Sequence, residues 1–392
     1  MSLSTLPLSY CTNVHPGRSL AEVSRGLEEY TAPVRQQFGG PLAAGLWLAE
    51  PVIGELVDRP QANEHLAATL AEHDLCCYTL NAFPYGDFHS ERVKEKVYIP
   101  DWTTTKRLEY TTGCAVVLAA LLPDGTEGSI STVPLGFKKL VRDAGFEEKC
   151  LARLLELVRR LDDLHDETGR VIRLAIEPEP LCVLETTPEV ITFFGDLYQR
   201  AGDDDLLDAT RRHIGVCYDV CHQSVEFEDV SASIQALHQA GVRINKVHIT
   251  CAVCLECPAE NDDGRTALAQ YVEPRYLHQT FGRTADGAVI HESDLTASLC
   301  REPPGQFAEC EEWRVHFHVP VNSESLGPLG TTRADLRRAL SAVEALEYAP
   351  HLEVETYTWE VLPDGDRVPL IEGLTAELRA THSLLEELPA VG

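Results

Sequence analysis

Asp219 and His222 stand one helical turn apart at the end of an apolar, β-rich run, in the segment GVCYDVCH (215–222). Other short β-rich runs also end in carboxylates or imidazoles. These runs carry Glu177 and Glu179, His248, His316 and His318, and Glu353 and Glu355. Carboxylate oxygens and imidazole nitrogens bind divalent cations, and the same groups transfer protons. The recurring pattern therefore predicts a metal site with acid and base groups beside it.

Four of these side chains form the predicted metal shell of three carboxylates and one imidazole: Glu177, Asp219, His248 and Glu355. Hard cations such as Mg2+ and Mn2+ favour carboxylate oxygen, whereas a histidine moves the preference towards Mn2+, Co2+, Fe2+ or Zn2+. Such a metal polarises a carbonyl or enediolate oxygen while a carboxylate of the shell removes a proton from the neighbouring carbon. We expect a divalent metal and no organic cofactor.

Several neighbouring residues have alternative roles. Glu179 shares a strand face with Glu177, so it competes for the ligand position or supports the ligands from behind. His222 either orients the substrate or binds the metal. His316 and His318 also share a face, and they form a second metal site, touch the substrate or simply pack.

A deeper layer of charged groups is predicted beneath the metal. Glu353 lies two residues before Glu355 on one strand face, one layer further from the strand end. We expect Glu353 to pair with Lys246 or Arg173. Lys246 shares the face of His248, and we expect it to touch the substrate or to support the ligands.

Strand-like and helical segments alternate along the chain in the order expected of a (β/α)8 barrel, which is an α/β fold. The eight predicted strands are LSYCTNVH, LAAGLWLA, LCCYTLNAF, SISTVPLG, IRLAIEPEP, GVCYDVCH, INKVHIT and HLEVETYTW. Helices are predicted at about 19–38, 61–73, 105–122, 147–165, from 187, 230–240, 332–346 and 370–388. The catalytic face of such a barrel lies at the carboxyl ends of the strands, where these acids and imidazoles fall.

The alternation stops between the seventh and eighth strands. Residues 251–312 are predicted to be a lid-like insertion, with a hairpin that turns at Ala285–Gly287. WRVHFHVPV, which follows, is either a short return strand or the edge of the lid. We expect residues 1–392 to form one domain that includes this insertion.

Charge and hydropathy exclude several classes of partner. The chain has 33 basic and 62 acidic residues, for a net charge of -29. Nucleic acid and anionic membranes bind to clustered Lys and Arg, so neither is expected. No run approaches the length of a membrane span, and the first residues lack the pattern of a signal peptide. We therefore expect a cytoplasmic protein without direct membrane insertion.

Thirteen cysteines in a chain without an export signal predict reduced thiols rather than disulfides. Only Cys251, Cys254 and Cys257 have ligand-like spacing. A structural zinc site needs a second knuckle, and Cys300 and Cys310 stand too far apart to supply one. We expect ordinary buried or loop cysteines.

Two sets of motifs carry a resemblance to known families. GVCYDVCH with IRLAIEP, KVHI and LEVET resembles the xylose-isomerase-like, AP-endonuclease-2-like barrel superfamily of sugar isomerases, ketose 3-epimerases and endonuclease IV. LSYCTNVHPG, TLNAFPYGDFH, VYIPDW, GSISTVPLG, VHFHVPV and HLEVETYTWEVLP together resemble the EboE family of metabolite traffic proteins across nearly the whole chain.

The superfamily's ligand pattern carries over onto the four predicted metal ligands, with His222 as an accompanying histidine. Endonuclease IV also has zinc-binding histidines on its second and third strands. LAAGLWLA and LCCYTLNAF contain none, so the resemblance does not extend to a trinuclear zinc centre.

The resemblance implies an ebo-type biosynthesis and metabolite export pathway, with other Ebo proteins as partners. One interpretation is an isomerase or epimerase of a sugar, polyol or cyclitol, with Glu177 and Glu355 as metal-bound acid and base. The alternative is a non-catalytic protein that binds a metabolite and transfers it. An endonuclease IV-like phosphodiesterase is the third, and the net charge disfavours it.

Overall fold

The computed structural model describes residues 5–388 of the chain. Fifteen strands are assigned within these residues: β1 (Leu8–Cys11), β2 (Leu42–Trp47), β3 (Leu75–Cys76), β4 (Thr79–Asn81), β5 (Gly128–Thr132), β6 (Ile172–Ile176), β7 (Ile214–Asp219), β8 (Ile244–Ile249), β9 (Cys251–Glu256), β10 (Thr280–Thr284), β11 (Val289–Glu292), β12 (Cys310–Val319), β13 (Ser325–Leu326), β14 (Leu329–Thr331) and β15 (His351–Val354).

Nine of these strands close into a parallel barrel of eight positions. The strand order around the barrel is β1-β15-β8-β7-β6-β5-β4-β2, and the pairing of β1 with β2 closes the ring. The short strands β3 and β4 both pair with β2 and share one position of the barrel. All pairings in this sheet are parallel. The predicted (β/α)8 barrel is therefore confirmed. The third position is divided into two short strands rather than one.

Helices surround the barrel and bury the outward faces of its strands. The described residues contain fifteen α-helices, of which α11, α12 and α13 belong to the insertion before the last barrel strand: α1 (Leu20–Gly26), α2 (Ala32–Phe38), α3 (Glu50–Asp58), α4 (Pro60–Glu72), α5 (Thr105–Leu121), α6 (Phe146–Thr168), α7 (Thr187–Asp203), α8 (Leu207–His213), α9 (Val220–Val225), α10 (Val230–Gln239), α11 (Asp262–Leu268), α12 (Ala297–Arg301), α13 (Gly305–Ala308), α14 (Arg333–Glu344) and α15 (Leu370–Glu386).

Helix α6 illustrates the packing, because its buried residues recur every three or four positions and form one apolar stripe. The helix predicted over 19–38 consists of α1 and α2 joined by a wider π-helical turn at Leu27–Thr31. No helix within residues 5–388 is long and apolar enough to span a membrane.

The insertion between the seventh and eighth barrel strands folds as a second sheet. This sheet, here called the inserted sheet, is antiparallel and has the order β11-β10-β12-β9-β14-β13. The predicted hairpin is present as β10 and β11, with Gly287 at a positive φ of 86° in its turn. A long insertion at this position is thus confirmed, and its strands continue to Thr331, beyond the predicted limit at residue 312.

WRVHFHVPV is neither a short return strand nor an edge. It belongs to β12, a ten-residue interior strand that pairs with β10 on one side and β9 on the other. The β9 register shifts between Val315 and His318, so β12 bulges there. Local sequence did not reveal this because both partners of β12 lie far away along the chain.

Candidate metal centre

The four predicted metal ligands lie together at the carboxyl end of the barrel. Asp219 is the last residue of β7 and pairs in register with His248 of β8. Glu177 is the residue directly after β6, and Glu355 is the residue directly after β15. The backbone N–H groups of Glu177 and Glu355 each donate to the neighbouring strand, at Thr132 O and Ile249 O. The parallel hydrogen bonding thus continues one residue past each strand, and it fixes the backbone positions of Glu177 and Glu355.

His248 stands at the centre of this group. Its Nδ1 atom lies 3.1 Å from Glu177 Oε1, 3.2 Å from Glu355 Oε2 and 3.6 Å from Asp219 Oδ2. One ligand atom from each of the four residues lies within 4.8 Å of the others, and all four side chains are buried. Three carboxylates and one imidazole therefore converge on a single point.

Unpartnered polar atoms in this group fit a bound cation. Glu177 Oε2 and Asp219 Oδ2 are buried and make no hydrogen bond. Leaving a buried carboxylate oxygen without a partner is costly, and such atoms call for an explanation. A divalent metal satisfies both oxygens, and the oxygen-rich donor set with one nitrogen suits such an ion. The residues present thus fit the predicted metal.

The remaining oxygens of these carboxylates are held by polar neighbours. Asp219 Oδ1 accepts from Thr250 Oγ1 at 2.6 Å and from the backbone N–H of His222 at 3.1 Å, and so caps α9. Glu355 Oε1 accepts from the side-chain amides of Asn13 at 2.8 Å and Asn81 at 2.7 Å. One oxygen of Asp219 and one oxygen of Glu355 are therefore fixed, while the other oxygen of each faces the centre.

Asn13, Asn81 and Thr250 were missed in the sequence. Asn81 ends β4, Asn13 follows β1, and Thr250 follows β8. They therefore obey the same rule that identified the ligands, namely that polar side chains at the carboxyl ends of barrel strands face the site. Uncharged residues were passed over in favour of acids and histidines.

Burial and neighbouring charges shift the pKa values of three of the four ligands. Burial raises the pKa of Glu355 to about 7; His248 opposes this rise and Glu177 adds to it. Burial also disfavours imidazolium, but Cys217, Glu177 and Glu355 outweigh it and raise the pKa of His248 well above its ordinary value. For Asp219, burial is outweighed by the histidines around it, which hold the pKa of the carboxyl below its usual range.

These shifts predict the number of protons that metal binding releases. A ligand must be deprotonated to bind, so a protonated His248 releases one proton, and Glu355 releases a second one below its pKa of about 7. We expect about one proton released per metal at pH 8 and about two at pH 6, with affinity falling more steeply below neutral pH. Calorimetry of Mn2+ or Zn2+ binding in buffers of different ionisation enthalpy measures this number. An equal release at both pH values would contradict the assignment.

A buried ion pair supports His248 from below. Lys246 Nζ lies 2.6 Å from Glu353 Oε1, and both side chains are fully buried. Ser9 Oγ donates to Glu353 Oε2 at 2.9 Å, and Glu353 Oε1 lies 3.4 Å from His248 Nε2. A Cβ on Gly45 would lie 1.5 Å from Glu353 Oε2, so only glycine leaves room for this carboxylate.

Of the two partners predicted for Glu353, the structure has Lys246; Arg173 instead pairs with Glu127. Lys246 lies under the ligand layer and is not among the residues that line the cavity described below. Its contact with the ligands runs through Glu353, whose carboxylate faces the Nε2 side of His248.

Removing one member of this pair is expected to destabilise the fold. Lys246→Met leaves the Glu353 carboxylate buried without its counter-ion, which costs about 3–5 kcal/mol of unfolding free energy. The double variant Lys246→Met/Glu353→Leu removes both charges and should recover a large part of that loss. Urea unfolding of the metal-free proteins measures both values. A double variant no more stable than the single one would argue against the ion pair as the cause.

The other predicted histidines form a second group beside Asp219. His222 Nε2 lies 3.1 Å from His316 Nε2. His222 Nδ1 donates to Pro178 O, and His318 Nδ1 donates to the backbone oxygen of Glu355. His316 lies in the bulge of β12 and His318 directly after it, and both line the cavity at the end of the barrel. Burial lowers the pKa of all three imidazoles, so they favour the neutral form.

A hydrogen-bond chain fixes the orientation of His316. The amide nitrogen of Gln279 donates to Pro180 O and to Tyr98 Oη, so its oxygen accepts from His316 Nδ1 at 2.8 Å. His222 and His316 therefore both present an unprotonated Nε2 atom when neutral, and the two face each other. A proton or a cation between them relieves the repulsion of their lone pairs.

Glu179 belongs to this second group rather than to the four-ligand centre. Its Oε1 accepts from Tyr98 Oη at 2.6 Å and lies 3.4 Å from His316 Nδ1. Burial raises the pKa of the Glu179 carboxyl well above its ordinary value. Possible metal-ligand groups also include Glu179 with His222 and His316, and Asp219 with His222 and His318.

A cavity that is partly open to solvent reaches both groups, and the empty space in it, including the part open to solvent, is about 510 Å³. Glu177, Glu355, His222, His316 and His318 reach one end of it. The remaining walls come from Asn13 after β1, from the end of β4 and the loop after it, from the segment before β10 and from Tyr357 after β15. His316 and His318 of the inserted sheet thus lie at the carboxyl end of the barrel, and the role of this insertion as a lid stays a prediction.

The three closely spaced cysteines do not converge. Cys251 and Cys254 are buried and stand three residues apart on β9, so they point to opposite faces of the strand. Cys257 is exposed beyond the end of the strand. All thirteen cysteines are free thiols.

Solved structures of similar fold include an L-ribulose 3-epimerase, with a TM-score of 0.52 and 13% identity over 97% of this chain and 95% of that chain. The IOLI protein with a binding zinc atom has a TM-score of 0.50 and 13% sequence identity, and the match covers 98% of this chain and 100% of that chain. A xylose isomerase-like TIM barrel protein from Mycobacterium smegmatis in complex with magnesium has a TM-score of 0.52 and 13% sequence identity, and the match covers 98% of this chain and 99% of that chain. The chain has a xylose-isomerase-like TIM-barrel fold.

This shared fold includes proteins crystallised with zinc and with magnesium. No protein-family model matches the sequence, and no curated protein matches it significantly. The resemblance to the EboE family rests on the sequence motifs alone and stays a prediction.

Proposed function

We propose that the protein is a divalent-metal-dependent isomerase or epimerase of a small sugar, polyol or cyclitol. The observation that carries this proposal is the convergence of Glu177, Asp219, His248 and Glu355 within 4.8 Å at the end of a barrel cavity. The epimerase among the structures of similar fold supports the same class of reaction.

Glu177, Asp219, His248 and Glu355 would hold a divalent metal, which would supply positive charge next to a carbonyl of the substrate. Glu355 removes the proton from the carbon next to that carbonyl. The electron pair of the broken C–H bond forms a C=C bond, and the π pair of the carbonyl moves onto its oxygen. Glu177, which carries a proton at the start of the turnover, then delivers that proton to carbon while the carbonyl bond re-forms. Delivery to the opposite face of the same carbon gives the epimer, and delivery to the former carbonyl carbon gives the isomer, with a hydroxyl proton passing between the two oxygens. Proton exchange with solvent restores both carboxyl groups.

The surroundings of Glu355 suit this role. Two amide donors fix its Oε1 atom, so Oε2, the oxygen that also faces the metal centre, is the one that accepts the proton, through its second lone pair. Both carboxylates are almost wholly buried, at 2% exposure for Glu177 and 4% for Glu355, so bulk water does not compete for the proton. Positioned general acid and base groups of this kind contribute about 10²–10⁴-fold each.

Solvent exchange tests the proposal. The metal-loaded protein is incubated in heavy water with mixtures of sugars, sugar phosphates and cyclitols, and products are read by mass spectrometry. We expect deuterium at a carbon position in at least one compound, and none after chelation of the metal. Tight binding of a metabolite without exchange or turnover would overturn catalysis and favour the alternative, a protein that binds and transfers a metabolite.

The second histidine group supports a different candidate, an endonuclease IV-like phosphodiesterase. His222, His316 and His318 offer further nitrogen ligands next to Asp219, and clustered metals are typical of phosphodiester hydrolysis. The net charge of -29 opposes a polyanionic substrate. Cleavage of abasic-site DNA or of a bis-nitrophenyl phosphate by the metal-loaded protein would favour this candidate over the isomerase.

The narrower hypothesis, from the EboE-like motifs, is that the enzyme works in an ebo-type biosynthesis and export pathway. We propose a cytoplasmic location and other Ebo proteins as partners. Co-purification of the tagged protein with those partners, against a tagged unrelated barrel protein, tests this hypothesis.

A further inference from the structure

The walls of the cavity are divided by polarity. The metal-binding end has acids, imidazoles and the amides of Asn13 and Asn81. The rest of the lining is mainly apolar or aromatic and includes Phe83, Phe88, Val93, Val97, Tyr276 and Leu277. A ligand that fills the cavity therefore meets hydrogen-bonding groups at one end and hydrocarbon over most of the remainder.

Three rings form the centre of the apolar part. Phe88, Tyr276 and Tyr357 contact one another with centroid distances of 4.9 to 5.4 Å. Tyr357 also lies 4.7 Å from His318, so this cluster begins directly beside the polar end. Tyr276 Oη donates to Phe88 O, which ties the loop after β4 to the segment before β10.

The one lysine or arginine among the described residues that line the cavity is already paired. Lys94 Nζ donates to Asp294 Oδ2 at 2.7 Å and to Glu273 O at 3.1 Å, and the lysine is only 6% exposed. Its charge is therefore balanced before any ligand enters.

The metal end does not compensate for this lack of positive charge. With neutral imidazoles, the three carboxylates of Glu177, Asp219 and Glu355 outweigh a divalent ion by one negative charge. A phosphate dianion in the cavity would thus face a negative centre and no free cation, in surroundings where charge is weakly screened.

A bare polyol fits the apolar part poorly as well. Its hydroxyl groups would be buried against Phe88, Val93 and Leu277 without hydrogen-bond partners, and each such loss is costly. An apolar group attached to the polyol fills the same space and gains from burial.

From this division we infer that the ligand is an uncharged polyol or ketose that carries an apolar substituent, and that phosphate esters are excluded. The polyol end faces the metal ligands, and the substituent packs on the rings of Phe88, Tyr276 and Tyr357. This inference rests on the proposed function and adds a substrate class to it.

Three matched probes test the inference by calorimetry with the Mn2+-loaded protein: ribitol, 5-O-benzylribitol and ribitol 5-phosphate. We expect the benzyl ether to bind about tenfold or more tightly than ribitol, because its ring buries apolar surface. The phosphate should bind about tenfold or more weakly than ribitol, because it meets no free cation. A benzyl ether no tighter than ribitol, or a phosphate tighter than ribitol, would overturn the inference.

The variant Asp294→Asn is expected to bind ribitol 5-phosphate more tightly than the wild type does. A damaged fold would weaken binding, so it cannot account for such a gain. The amide oxygen still accepts from the backbone N–H of His278, whereas Lys94 loses its counter-ion. We expect ribitol 5-phosphate to bind about fivefold more tightly to this variant than to the wild type, with ribitol unchanged. No gain for the phosphate would contradict the role assigned to the paired lysine.

A final arm separates this inference from the proposed function. If ribitol binds equally well with and without Mn2+, its binding site does not include the metal, and the proposed function is excluded together with the inference. Metal-dependent ribitol binding combined with no preference for the benzyl ether would leave the proposed function standing and overturn the substrate class alone.

Discussion

Asp219→Asn is expected to lower the affinity for a divalent metal by about 100-fold or more, since loss of even supporting contacts at metal sites costs about 10–100-fold. Asp219 Oδ1 accepts from Thr250 and from the backbone of His222, so the amide oxygen of asparagine keeps that place. The amide nitrogen then replaces Oδ2, the unpartnered oxygen that faces the other ligands. A hydrogen-bond donor is thereby presented to the cation, while the cap of α9 is retained.

Metal content after dialysis and the dissociation constant from competition with a chromophoric chelator measure this effect. Asp229→Asn is a matched control, because Asp229 also caps a helix, α10, but is exposed and lies outside the site. We expect the control to bind metal as the wild type does. Equal metal content in Asp219→Asn and wild type would remove this residue from the shell.

Glu355→Gln is expected to reduce solvent deuterium exchange by about 10³-fold, within the range for loss of a general base. Asn13 and Asn81 both donate to Oε1, so the glutamine oxygen should occupy that position. The amide nitrogen is then placed where Oε2 accepts the proton, and it cannot act as a base. Substrate binding should change little, because the shape of the side chain is unchanged.

Exchange is measured with metal in excess, since Glu355 is also a proposed ligand and its loss weakens metal binding. Glu360→Gln serves as the control: this glutamate lies on the same segment but is half-exposed and pairs with Arg275. Glu177→Gln should lose exchange as well. Undiminished exchange in both Glu177→Gln and Glu355→Gln would exclude these carboxylates as the acid and base.

The barrel and the clustering of the four proposed metal ligands could be predicted from local sequence because two simple rules apply to them. Each strand is a short apolar run, and parallel barrels place the side chains at the carboxyl ends of their strands on one face. Glu177, Asp219, His248 and Glu355 each come at or near such an end, so their convergence did not require knowledge of distant contacts.

Contacts between distant segments could not be predicted in the same way. The pairing of β12 with β9 depends on residues about sixty positions apart, and its bulge, which contains His316 and lies directly before His318, has no local signal. Asn13 reaches Glu355 across 342 positions. Glu353 pairs with Lys246 rather than with Arg173. Arg173 instead pairs with Glu127, the residue directly before β5, and this distant partner could not be seen in the local sequence.

Anomalous X-ray diffraction from crystals grown with Mn2+ tests the central claim most directly. One strong anomalous peak should lie within bonding distance of Glu177, Asp219, His248 and Glu355, at about 2.0–2.3 Å from their oxygen and nitrogen atoms. A further peak among His222, His316 and His318 would add a second ion without affecting this assignment. No peak at the four-ligand centre in crystals that contain bound Mn2+ elsewhere would contradict it.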